Sequence, residues 1–96
     1  MVLDLVLTYY WYDEILSGRK TNEYREIKDI WIKRIWNNRD KITHVRFHRG
    51  YTMTTITVRV DRIHKTSCPY EGWDDKYFNI YLNQDDVYAL ETKEII

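Results

Sequence analysis

From Val2 to Thr8 the chain is apolar at almost every position, a short β-rich run that predicts a strand buried on both faces. The period then changes. Tyr12, Ile15 and Leu16 fall at i, i+3 and i+4, predicting one face of a helix from Tyr9 to Leu16. Thr8 stands at the capping position, and Asp13 and Glu14 lie early enough to favour the positive helix end. Gly18 falls where a left-handed cap would stop it. Thr21 to Glu26 reads as a second strand, with Tyr24 on one face and Glu23 and Arg25 on the other. From Asp29 to Trp36, Ile32, Ile35 and Trp36 return to helical spacing, Trp31, Lys33 and Arg34 face elsewhere, and Asn37 and Asn38 end the helix.

The second half is β-like. Ile42 to Arg49 alternates, with His44, Arg46 and His48 on one side and Val45 and Phe47 on the other. Gly50 and Tyr51 make a turn into a β-branched strand from Met53 to Ile63, giving a hairpin whose first strand is basic on its surface. His64 to Asp75, which holds the only proline, reads as a loop. Lys76 to Leu82 reads as a strand with Phe78, Ile80 and Leu82 inward and Tyr77, Asn79 and Tyr81 outward. Beyond Asn83, Val87, Tyr88 and Leu90 fit a short docked helical turn. About five strands, with two short helices in the N-terminal half and no repeat or linker, suit one α+β domain over residues 1–96, built on a small mixed β-barrel.

Composition adds a surplus of rings. A chain of this size buries about 60–65% of its unfolded surface, and four Trp, nine Tyr and two Phe exceed what its core demands. Some are expected to line a surface where a ring with a polar tip stacks on a ligand. The net charge is zero, but residues 15–65 hold thirteen of the fifteen Lys and Arg against five acids, a local balance of +8. That asymmetry points to a polyanionic partner or to a solvated surface whose charges fold back on each other. Cys68 is the only cysteine, so no intramolecular disulfide forms and a reducing compartment, the cytoplasm, is expected. The opening Met-Val-Leu-Asp reads as strand and not as a signal peptide, and no apolar run approaches the roughly 18 residues of a membrane helix.

One stretch carries candidate chemistry: Gly18-Arg19-Lys20-Thr21-Asn22-Glu23-Tyr24-Arg25. A glycine turn releases the helix, Lys20 sits at the mouth of the next strand, and Glu23 and Arg25 project from one of its faces. Glu23 would hold both cations in place. Such a set either grips a phosphate, runs proton transfer beside a bound base, or is an ordinary surface ion-pair ladder worth about 0–1 kcal/mol.

Gly18, Lys20, Glu23 and Arg25 stand as G-x-K-x-x-E-x-R, and the chain here resembles the ASCH domain of the PUA-like superfamily. The leucine-rich opening (Leu3, Leu5, Leu7), the aromatic helix from Tyr12 to Gly18 and the Ile30–Ile35 segment Ile-Trp-Ile-Lys-Arg-Ile are similar to small members of that family. The resemblance covers about the first half. It implies a PUA-like β-barrel with the motif residues in a cleft beside the first helix, and RNA-linked roles. Some members are amidohydrolases that remove acetyl from N4-acetylcytidine with a lysine, a threonine and a glutamate. This sequence has Glu23 where those enzymes carry the threonine; Thr21 is two positions early, and Glu71 is the one loosely placed candidate for the further glutamate.

Other residues weigh less. His44 and His48 lie about 13 Å apart if both sit on one strand, too far to share a metal, and no metal or cofactor is expected. His44, Arg46 and His48 either extend a basic strip or form a plain solvent face. Cys68, beside Pro69, reads as a loop residue. Trp31 with Lys33 and Arg34 either stacks and clamps a base and its phosphate or packs in the core. Tyr51 and Trp73 are candidate stacking groups on the rim. The expected function is binding of RNA or a nucleotide, with Lys20, Arg25, Trp31, Arg34 and Tyr51 as contacts. Two alternatives stand beside it. One is a small hydrolase of RNA or a modified nucleoside, with Lys20 and Glu23 catalytic. A lysine works as base or nucleophile only as the neutral amine, and a neighbouring carboxylate favours the ammonium. The other is a protein-interaction adaptor.

Overall fold

The computed structural model describes residues 1–67 and 76–91. Five strands form one mixed sheet: β1 (Val2–Leu7), β2 (Asn22–Glu26), β3 (His44–Arg49), β4 (Thr54–Ser67) and β5 (Lys76–Glu91), in the order β1-β3-β4-β5-β2. β1 and β3 run parallel and every other pair is antiparallel. A parallel pair needs a crossover, and here the crossover carries α1 (Tyr9–Leu16), β2, α2 (Asp29–Arg34) and a 3-10 turn at Trp36–Asn38. The fold is thus α+β with both helices in the N-terminal half. The sheet curls into a half-barrel and does not close, because β1 and β2 remain at opposite edges. Two register shifts in β4, at Val58/Arg59 and Val60/Arg62, supply bends of the kind that bulges impose on a long strand.

The core fills the inside of the curl. Leu3, Leu5, Val45, Phe47, Ile56 and Val58 come from β1, β3 and β4, and Phe78 and Ile80 from β5. Ile15 of α1 and Ile35 after α2 close over them, and Trp36 stacks on Phe78 with ring centroids 5.6 Å apart. Among the described residues, no helix is long and apolar enough to cross a membrane.

Several local expectations are corrected. β1 is buried on one face only: Val2 and Val6 are exposed while Leu3, Leu5 and Leu7 are covered. Leu16 is exposed too, so Tyr12 and Ile15 are the residues that α1 buries. Thr8 occupies the N-cap without a side-chain hydrogen bond, and no acid lies in the first turn; Asp13 and Glu14 face Arg49 and Arg19 instead. Gly18 does adopt a positive φ of 81°. The helix expected to reach Trp36 ends at Arg34 and tightens into the 3-10 turn. β4 runs on to Ser67 through residues expected to loop, and the remainder of that loop, residues 68–75, lies outside the described residues. The expected helical turn after Asn83 is strand instead, because Thr54 to Val58 present an edge that the segment from Val87 to Glu91 pairs with. Tyr77 and Asn79, expected outward, are buried, so both faces of β5 are covered there.

Candidate functional site

The motif builds inward. In the β2–β5 register Glu23 lies opposite Ile80 and Arg25 opposite Phe78, and directly opposed residues share a face. Glu23 and Arg25 therefore point to the inner side of the half-barrel, together as expected, but not on its surface. Glu23 is only 5% exposed. Its Oε1 accepts hydrogen bonds from Lys20 Nζ and from the Tyr24 N–H, both at 3.0 Å. Lys20 Nζ also donates to the Asn22 carbonyl at 2.6 Å. Glu23 Oε2 makes no hydrogen bond among the described residues and faces Arg25 Nη2 at 3.5 Å, an ion-pair distance. This is a buried ion cluster, not the surface ladder that spacing alone allowed.

Arg25 links that cluster to the open edge. Its Nη2 donates to the Val6 carbonyl at 3.2 Å, and Arg34 Nη2 of α2 donates to the Asp4 carbonyl at 2.7 Å. Asp4 and Val6 are alternate residues on β1, so their carbonyls share the side of the strand that β3 does not pair with. A bare strand edge invites pairing with another chain. Here two guanidinium groups cover it, and Arg25 spans from β2 to β1 where strand pairing fails to close the barrel. Both guanidinium carbons also lie over the Trp31 ring, 4.9 Å (Arg25) and 5.1 Å (Arg34) from its centroid. Trp31 is half-buried against the core, so packing and cation contact coexist in one residue.

At this seam lies a groove of about 780 Å³, within the usual range of ligand sites. It is lined by the β1 edge at Asp4 and Val6, by Arg25, Trp31 and Arg34, and by His48, Gly50 and Tyr51 at the end of β3 and its turn. Tyr51 is 99% exposed at the rim. Gly50 holds a φ of 58°, and a Cβ there would fall 2.7 Å from Tyr9 Cε1. The backbone favours glycine, and a Cβ would push the exposed Tyr9 ring aside.

Comparison with family models, with curated proteins and with solved structures finds no match to this chain. The ASCH resemblance accordingly rests on Gly18, Lys20, Glu23, Arg25 and their sequence surroundings.

The structure divides the expected site residues. Arg25, Trp31, Arg34 and Tyr51 share the groove, whereas Lys20 and Glu23 sit outside its lining, with Arg25 as the connection. The basic strip on β3 is tied down: Arg46 donates to Asp4 in bidentate fashion at 2.6 and 3.1 Å, and His48 Nε2 lies 2.8 Å from the same carboxylate. The Arg46 hydrogen bond, above all, holds the Asp4 carboxyl below the usual carboxylate range. Asp4 was not foreseen as a site residue. Its signal was available, since an acid interrupts an otherwise apolar strand. Among the described residues no group of three or more His, Cys, Asp or Glu is arranged to hold a metal. Cys68, Glu71 and Trp73 lie outside the described residues.

Proposed function

We propose that the groove binds a nucleotide or single-stranded RNA, the chain acting as an ASCH-type module on a PUA-like half-barrel. One observation carries the reading: two guanidinium forks, Arg25 and Arg34, converge beside one Trp31 ring in a groove of ligand size. Each uses Nη2 on a β1 carbonyl, and the Nε and Nη1 groups make no hydrogen bond among the described residues. Planar forks with donors to spare suit a phosphate. The exposed Tyr51 ring at the rim offers a face to a base. Since the Trp31 ring already contacts both arginines, a base is expected on Tyr51 or on a guanidinium plane rather than on Trp31 alone.

Calorimetric titration with cytidine and with cytidine monophosphate tests this. The monophosphate should bind at least about tenfold more tightly, since hydrogen bonds to a charged group are worth roughly 1.5–3 kcal/mol. Arg34→Ala should remove most of that difference. No binding of either compound at low salt, by folded protein, refutes the reading.

A second reading, hydrolysis of a modified nucleoside by Lys20 and Glu23, is favoured by the buried Glu23 Oε2, which accepts no hydrogen bond among the described residues and only faces Arg25 at 3.5 Å. Neither residue lines the groove, which ranks it below binding. Turnover of N4-acetylcytidine that disappears in Lys20→Ala would put it first.

A further inference from the structure

A second aromatic surface adjoins the groove. Tyr9, Tyr10 and Trp11 form the first turn of α1 and are 52%, 63% and 41% exposed. Tyr10 and Trp11 meet edge to face, their centroids 4.8 Å apart, which holds two rings in fixed relation at the surface. The patch is continuous with the groove. Thr8, the preceding residue, lines it, and so does Gly50, which lies against the Tyr9 ring.

The two surfaces differ in charge. Around α1 the cations are engaged with carboxylates: Arg19 with Glu14 at 2.9 Å, Lys20 with Glu23 at 3.0 Å and Arg49 with Asp13 at 3.0 Å. Arg49 lies over Tyr9 and Lys20 over Trp11 as well. In the groove, Arg25 shares Glu23 at 3.5 Å but its Nε and Nη1 make no hydrogen bond among the described residues, and Arg34 has no carboxylate partner among them. The groove side therefore keeps guanidinium donors of the kind that suit a phosphate, and the α1 side presents ring faces whose neighbouring cations are each paired with a carboxylate.

We propose that the α1 turn is a stacking subsite of the same surface. The ligand is then a single-stranded polynucleotide reaching from the groove past Gly50 to Tyr10 and Trp11, not a free nucleotide. A duplex buries its base faces, whereas an unpaired strand offers them to exposed rings. This rests on the groove reading above.

The test is isothermal titration with uridine monophosphate and with oligouridylates of two, four and eight nucleotides, on wild type, Tyr10→Ala, Trp11→Ala and Tyr10→Phe. Affinity should rise with length. Each alanine variant should weaken the octamer roughly 5- to 150-fold, the range for one lost base stack. Monophosphate binding and the salt dependence should not change, and Tyr10→Phe should retain octamer affinity. If the monophosphate binds but the alanine variants leave the octamer unaffected, the subsite is refuted and the groove stands. If the variants alter only the sedimentation of ligand-free protein, the patch joins copies of the chain and the subsite is again refuted. If no compound binds wild type, both readings fall.

Discussion

Replacing Glu23 by alanine tests whether the motif is a structural ion cluster under the groove. The carboxylate accepts Lys20 Nζ and the Tyr24 amide at 3.0 Å each, and both ionic side chains are largely enclosed, at 7% and 11% exposure. Removing one partner of a buried pair leaves an uncompensated charge and costs about 3–5 kcal/mol. Lys20 keeps the Asn22 carbonyl, which argues for the lower end, about 3 kcal/mol. A domain of this size has roughly 5–15 kcal/mol in all, so the loss should lower the urea midpoint by about 1–3 M for an m-value of 1–3 kcal/mol/M. Urea unfolding followed by tryptophan fluorescence reads it directly. Glu23→Leu combined with Lys20→Met removes the buried pair, leaves the partly exposed Arg25 on the Val6 carbonyl, and should recover part of the loss, since an apolar replacement of a whole buried pair is often neutral. A cost below about 1 kcal/mol for Glu23→Ala would match an exposed ladder and refute the buried-cluster account.

Gly50→Ala should cost about 1–2 kcal/mol, read as a lower melting temperature, from the left-handed backbone and the Tyr9 ring 2.7 Å from the new Cβ. Asp4→Asn should destabilise at pH 7. Asp4 is depressed in the folded state chiefly by its Arg46 hydrogen bond, so its contribution is present above the unfolded value near 3.9 and lost as pH falls toward the native one. The gap between wild type and Asp4→Asn should therefore begin to narrow near pH 3.9 and keep narrowing as pH falls through the depressed native value, and a gap that stays constant into acid contradicts the assignment. Phe47→Ala, at a fully buried position, should lose about 3–5 kcal/mol in the same urea assay.

Much of this was legible in the sequence because the physics was local. Gly18 marked the end of α1, Val45 and Phe47 alternated against basic partners on β3, and the period-two spacing of Glu23 and Arg25 put both on one face. What spacing could not say was which face. Glu23 reads as a surface charge until its register with Ile80 places it against the core. The C-terminal strand was likewise hidden, because Val87, Tyr88 and Leu90 also fit a short helical turn unless the Thr54–Val58 edge is known to need a partner. The groove itself is a tertiary product. Arg25 and Arg34 meet only because β2 and α2, consecutive elements of the crossover, both bring a guanidinium to the β1 edge.

The most direct measurement is the salt dependence of oligouridylate binding by wild type and by Arg25→Gln and Arg34→Gln, with folding of each variant confirmed by circular dichroism. Each phosphate gripped contributes about −0.7 to the slope of log K against log salt for a single strand. The account predicts a slope of at least about −1.4 for wild type and a loss of about 0.7 in each variant, with weaker binding throughout. A wild-type slope near zero, or slopes that the two substitutions leave unchanged, would contradict a phosphate grip in this groove.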